Sequence, residues 1–293
     1  MTDSRPDGSP DPALVFFCES RVMIDLRRRR PCRLDRAQAG ELLNQARASV
    51  RLEDASGRLL EAVAIERFRP RQRIPDADFE PLRGIAAELD SESWQLLARS
   101  HSLLEWQRAH RYCGSCGHPT EALDGGHRRR CSNRDCGRLD FPRTDPAVIM
   151  RITHEDRLLL GRQPTWPEQR RSVLAGFVHP GESAEEAVVR EVHEESGIQV
   201  DPASLSWFGS QHWPFPGSLM LAFTARAQGG EPHPRDGELA RVDWWTRTEL
   251  KAALEADRIA LPGQRSVART LIDEWIKGDG LHDNGLTQGR NNR

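Results

Sequence analysis

Three glutamates stand close together at Glu191, Glu194 and Glu195. Their spacing of i, i+3 and i+4 gathers them on one side of an α-helix. The segment around them carries the signals of such a helix. Ser183 is a fair N-cap, and Glu185 and Glu186 fall in the first turn, where negative charge suits the macrodipole. Gly197 sits where a left-handed residue would end it. At about 100° per residue, Ala184, Ala187, Val188 and Val192 form an inward stripe. Glu191 and Glu195 share that side, Glu194 lies at its border, and Glu185, Glu186 and His193 point away. Carboxylates crowded over a core-facing stripe raise one another's pKa and are costly without a cation. A hard divalent ion with oxygen ligands resolves the repulsion. On geometry alone, a charged surface helix with its glutamates paired to Arg190 and other basic groups is the competing reading.

A second set of ligand-type residues lies upstream. Cys113-x-x-Cys116 and Cys131-x4-Cys136 are two close pairs in turn-like stretches containing Gly or Asn. Four thiolates make a closed tetrahedral site of the kind structural Zn²⁺ prefers. No open coordination position would remain for catalysis. His118 and His127 are read as ordinary surface histidines, and Cys18 and Cys32 as small packing residues. A zinc ribbon could also bind nucleic acid, with Arg128 to Arg130 on phosphates. That is the rival function of a different class. Solvated surface is the plainer reading of both that run and Arg27 to Arg30.

These groups must be held by folded elements, and the composition supplies them. The chain has 293 residues, 37% of them hydrophobic, enough for two domains with real cores. Its formal net charge of −2 gives no global basic field for nucleic acid. No run approaches the ~18 apolar residues of a membrane span, and residues 1–12 are a polar lead-in without a signal pattern. The cytoplasm is the expected compartment. Residues 13–110 are expected to form a strand-rich α+β domain. Leu14–Phe17, Val22–Ile24 and Leu60–Phe68 read as strands, and 80–110 reads as helical from the spacing of Leu96, Leu97, Leu103, Leu104 and Trp106. The cysteine segment, 111–141, follows. Residues 142–277 then show an α/β pattern. Strands are expected at Ala147–Met150, Leu158–Leu160, Met220–Ala225 and Val242–Trp245, with a last helix over Ser266–Ile276. The tail, 278–293, is Gly- and Asn-rich and expected to fray.

The segment Gly176 to Ile198 resembles the Nudix box, G-x5-E-x7-R-E-U-x-E-E-x-G-U with U apolar. Gly176, Glu182, Arg190, Glu191, Val192, Glu194, Glu195, Gly197 and Ile198 fill every defined position. At residue frequencies of about 7%, such a match arises by chance on the order of 10⁻⁹ per start site. The resemblance implies an α/β/α sandwich with a mixed sheet. It implies that Glu191, Glu194 and Glu195 carry Mg²⁺ or Mn²⁺ and act in catalysis, and that Glu182 and Arg190 form a bracing ion pair. Pyrophosphate cleavage needs charge neutralisation and an activated water, which suits that ligand set.

A further segment, S-Q-H-W-P-F-P-G-S over Ser210 to Ser218, resembles the S-Q-P-W-P-F-P-x-S signature of the NudC-type NADH pyrophosphatases. His212 departs from the family's Pro. Without the resemblance the stretch reads as a Pro-stiffened aromatic loop. The order of N-terminal domain, four-cysteine ribbon and Nudix domain is also that family's. What this implies is hydrolysis of NADH or NAD to NMNH or NMN plus AMP, removal of NAD caps from RNA as a second activity, and a homodimer. Gln211, Trp213, Phe215 and Ser218 would contact substrate. Phe177 and Phe141 would stack on the adenine, Phe141 reaching in from a partner subunit, and Glu238 would be an additional metal ligand. Core packing for the two phenylalanines and plain surface for Glu238 are the alternatives. Another nucleotide diphosphate, such as ADP-ribose, is the alternative substrate.

Overall fold

The chain around Ala147 is apolar on both faces, and the computed structural model shows why. Residues 145–154 form the central strand of a sheet covered on both sides. The structure describes residues 11–66 and 74–278. Most of the expected lead-in and tail, and the far end of the strand expected at Leu60–Phe68, lie outside the described residues. The chain divides into two compact units. One runs to Thr144 and takes in Pro214–Gly217. The other comprises Asp145–Trp213 and the chain from Ser218 onward.

The first unit is built on β1 (Ala13–Cys18), β2 (Arg21–Asp25), β3 (Arg30–Pro31), β4 (Ala46–Glu53), β5 (Leu59–Ile65) and β6 (Ala77–Pro81). The sheet order is β3-β2-β1-β5-β4, with β6 also on β2. Single helical turns lie at α1 (Arg36–Ala39) and α2 (Leu82–Ile85). The helix expected over 80–110 is shorter than that: α3 spans Ser91–Ala109. Pro81 closes β6, and Asp90 sets the true start by accepting from the Ser93 amide at 2.7 Å. Leu97 and Leu104 of α3 pack on Val15, Phe17, Val50 and Ala62 of the sheet. Cys18 and Cys32 lie against the sheet's other core, with Phe16 and Met23.

The ribbon carries its own small antiparallel sheet, β7 (Thr120–Leu123), β8 (Arg128–Cys131) and β9 (Leu139–Asp140). It is tied into the first unit by polar contacts. Gln107 donates to the carbonyls of Ser49 and Gly126, each at 2.9 Å, and His127 Nε2 lies 2.7 Å from the Arg51 carbonyl. His127 is therefore a half-buried structural residue, not the surface histidine expected. The basic run is corrected too. Arg129 turns inward, donating to the Thr120 hydroxyl and carbonyl, and Arg128 pairs with Asp124, which leaves Arg130 as the exposed member.

The second unit contains β10 (Asp145–His154), β11 (Arg157–Arg162), β12 (Leu174–Phe177), β13 (Ser206–Trp213), β14 (Ser218–Arg226) and β15 (Arg241–Thr246). The order is β13-β14-β10-β11-β15, with β12 also on β10. β10 and β14 run parallel and the other pairings are antiparallel, so the sheet is mixed. Its helices are α4 (Ala184–Ser196), α5 (Arg247–Glu255) and α6 (Val267–Lys277). Period-2 alternation assigns the faces. Val148, Met150 and Ile152 meet Ala187, Val188 and Val192 of α4. Ile149, Leu158 and Leu160 meet Leu250 and Ala253 of α5 and Leu271, Ile272 and Trp275 of α6. The result is an α/β/α sandwich within an α+β chain. No helix among the described residues is long and apolar enough to cross a membrane.

Candidate active site

The start of α4 is fixed locally. The Ser183 hydroxyl accepts from the Glu186 amide, and the Glu186 carboxylate accepts from the Ser183 amide at 2.8 Å, a capping box. Gly197 ends the helix at φ 75°, in the left-handed region. Between these caps the apolar stripe faces β10, and that docking fixes the rotation of the carboxylates.

Glu191 and Glu195 are drawn into the interior at 9% and 2% exposure, while Glu194 stays half-exposed. Glu195 Oε2 is buried with no hydrogen-bond partner among the described residues. Its carboxyl is pushed up to about 9. Burial is the main cause, followed by the charges of Glu191, Asp236 and Glu238. Burial also raises Glu191, against the nearby Arg190. Glu238 is exposed but close enough to repel both, and its amide is held by Asp236 at 2.9 Å. Asp236 escaped the sequence reading. Its only local sign is the D-G-E turn that carries Glu238.

Arg190 organises the loop before the helix. Its guanidinium meets Glu182 through two hydrogen bonds, at 2.7 and 2.8 Å, and donates to the Phe177 carbonyl at 2.9 Å. Glu182 also accepts from the His179 amide, and Arg190 holds its carboxyl down at about 2. The remaining Arg190 nitrogen lies 2.9 Å from both Glu191 and Glu194. Oxygen donors, one of them buried and uncompensated, fit a hard divalent cation. The helical carboxylates are not gathered as tightly as the thiols. Among the described residues, the four cysteines form the one group of three or more ligand atoms all within 4.8 Å of one another.

Gly176 admits this arrangement. It sits on β12 opposite Val148, and a Cβ there would overlap the Glu191 carboxylate. Gly176→Ala is therefore expected to displace Glu191. Activity should fall by more than about a hundredfold, for a packing cost of about 1–3 kcal/mol. Steady-state kinetics beside thermal melting reads both, and a variant with near-normal rate would show that Glu191 need not keep this position.

The substrate-loop residues are not all on a loop. Gln211 and Trp213 end β13 and Ser218 begins β14, paired with Trp213 across the sheet. Only Pro214–Gly217 is free of the ladder, because proline supplies no amide at 214 or 216. The Gln211 carboxamide donates to the Arg265 carbonyl at 2.6 Å and accepts from the Val267 amide at 2.8 Å, bracing the start of α6. Ser218 is buried. Phe177 and Phe141 are 57% and 53% exposed, so neither is a core residue. Phe141 belongs to the first unit and Phe177 to the second.

The ribbon thiols meet in pairs, Cys113 and Cys136 at 3.8 Å and Cys116 and Cys131 at 3.4 Å. A tetrahedron with Zn–S arms of about 2.3 Å has edges of about 3.8 Å. The four cysteines thus fit a structural zinc ion. His118 is exposed beside them, its Nδ1 at 3.2 Å from the Cys116 carbonyl.

Residues 143–263 match the NUDIX domain family, and residues 108–139 match the NADH pyrophosphatase zinc ribbon domain. A protein of Pseudomonas fluorescens named NAD-capped RNA hydrolase NudC is 37% identical over 216 residues, covering 74% of this chain and 74% of its own length. One of the same name from Mycobacterium tuberculosis is 41% identical over 219 residues, covering 70% and 68%. Among solved structures, a NUDIX hydrolase from Nitrosomonas europaea is similar with TM-score 0.46 and 17% identity, over 57% of this chain and 90% of that one.

Proposed function

The chain belongs to the NudC-type Nudix hydrolases, and on that premise we propose that it hydrolyses the pyrophosphate of NADH or NAD, yielding NMNH or NMN and AMP, and removes NAD caps from RNA 5′ ends. One observation carries the reading. A chain matching NAD-capped RNA hydrolases over most of its length buries a Glu195 carboxylate, one oxygen of which has no partner among the described residues, on a helix braced by Arg190 and Glu182. Glu191, Glu194, Glu195 and Glu238 would hold Mg²⁺ or Mn²⁺. Such an ion, when bound, neutralises charge on the pyrophosphate and lowers the pKa of a bound water. One of the helical carboxylates takes the proton of the attacking water. Arg190 and Glu182 keep the loop after Phe177 in register with the helix. Phe177 stacks on the adenine, joined by Phe141 of a second copy, which makes the working form a homodimer. Trp213, Phe215 and Ser218 meet the substrate, with Gln211 bracing the strand that carries them. Free thiolates for the zinc and a nucleotide substrate both suit the cytoplasm.

A non-catalytic nucleic-acid-binding ribbon is disfavoured by the inward Arg129, whose guanidinium is spent on Thr120. The reaction is tested with purified protein, Mn²⁺ or Mg²⁺, and a panel of NADH, NAD, ADP-ribose and NAD-capped RNA. AMP released from NADH, and NMN and 5′-phosphorylated RNA released from capped RNA, are the expected products. Cleavage of ADP-ribose with NADH left intact would replace the substrate and keep the reaction class.

A further inference from the structure

The inward face of α3 buries three polar residues: Ser100 and Gln107 donate to backbone carbonyls of Leu96, Ser49 and Gly126, and the third is His101. Leu97 and Leu104 point into the core of the first unit, and His101, at i+4 and i−3 from them, points with them at 4% exposure. A leucine would fill the place without burying polar atoms. Instead the imidazole Nδ1 lies 2.8 Å from the Pro214 carbonyl. A carbonyl only accepts, so Nδ1 carries the proton and donates. Nε2 is buried with no hydrogen-bond partner among the described residues, a cost the site bears for that one donor.

Pro214 opens the segment that leaves the β13–β14 ladder after Trp213. Its carbonyl has no partner across the ladder, and the prolines at 214 and 216 remove two amides that could have served the turn. The His101 ring also packs on Phe215, with centroids 5.5 Å apart, and on Phe17 at 6.3 Å. Arg83 covers the Phe215 ring at 5.9 Å. Phe215 thereby joins the core of the first unit, alongside Val15, Leu97 and Leu104.

We propose that His101 is a positioning residue for the substrate loop: its donor to Pro214 and its packing on Phe215 set the conformation of the segment between Trp213 and Ser218. The support for that segment thus comes from α3, a helix remote from it in sequence. The role of His101 rests on the reading of that loop as substrate-contacting.

The test compares His101→Leu, which keeps the bulk and deletes the donor, with His101→Asn, whose side-chain amide restores a donor near the Nδ1 position. Measured on the full-length protein with Mn²⁺, His101→Leu should raise KM for NADH about fivefold, the size of one neutral hydrogen bond. Its kcat should stay within about twofold. Amide hydrogen exchange at Phe215 and Gly217 should quicken, and His101→Asn should return both readouts toward wild type. Unchanged KM and unchanged exchange in His101→Leu overturn the proposal. So does a joint fall in kcat and melting temperature that His101→Asn fails to rescue, which would make His101 a packing residue only. If the wild-type protein hydrolyses none of the nucleotides, the substrate reading fails, and the exchange measurement alone still decides whether His101 orders the loop.

Discussion

Glu195→Gln is expected to lower kcat by about 10²–10³ while leaving the metal-free protein more stable than wild type. The two effects have one cause. Glu195 is the most buried of the helical carboxylates, and one of its oxygens lacks a partner. Without a cation the buried group must either bear an ill-compensated charge or hold a proton well above its ordinary pKa, and glutamine of the same shape removes that cost. The sign with pH follows from linkage. The folded carboxyl is pushed up to about 9, above its ordinary value near 4.5, so the folded state binds more protons than the unfolded state between those values. Metal-free stability from this group therefore falls as pH rises through that window. A bound cation reverses the preference and displaces the proton. The rise in melting temperature on adding Mn²⁺ should be larger at pH 8 than at pH 6 in wild type, and this difference should shrink in Glu195→Gln. Glu194→Gln should lose rate without gaining stability, because half-exposed Glu194 is paired with Arg190. A Glu195→Gln protein with normal turnover would remove Glu195 from the reaction.

Cys131→Ser should have the largest effect on stability. The ribbon strands are two to four residues long, too short to hold a sheet by themselves. The four thiols therefore carry the fold of that segment, with Cys113 and Cys131 buried at its centre. Structural zinc sites are worth about 10–16 kcal/mol in small peptides at neutral pH. The ribbon is joined to β4 and α3 through Gln107, Gly126 and His127, so its loss should spread into the first unit. Metal analysis should find one zinc per wild-type chain and little in Cys131→Ser. Melting should drop by on the order of 10 °C. A variant that keeps the wild-type melting curve would show that zinc does not support this segment.

The features legible in the sequence were those whose causes are local. Ser183, Glu186 and Gly197 cap α4 within one stretch of chain, and the apolar stripe tells which carboxylates turn inward. The ribbon pairs are likewise short-range. What stayed hidden depends on partners far along the chain. Gln211 looks like a free recognition residue until α6 arrives with the Arg265 carbonyl and the Val267 amide. His127 and Arg129 look solvated until Arg51, Thr120 and Gln107 are placed beside them. β13 mixes polar and aromatic residues without a clean period, and its pairing with β14 is what makes it a strand, whereas β4 alternates Ala46, Ala48, Val50 and Leu52 with polar residues, a local strand signal that was there to be read. α5 is different. Thr246 and Glu249 form a capping box, a local start signal that apolar spacing alone does not reveal.

The parallel pairing of β10 with β14 has a kinetic consequence. It joins Asp145 to Ser218 and Thr153 to Arg226, so about seventy residues, α4 among them, must be looped out before the ladder can close. Contacts of such long range slow folding, and on the ribosome β14 is made well after α4. A nascent chain that ends after α4 has its glutamates on a helix with an incomplete sheet to dock against. The cation site therefore matures late, and the ion would stabilise the finished sandwich without serving as its nucleus.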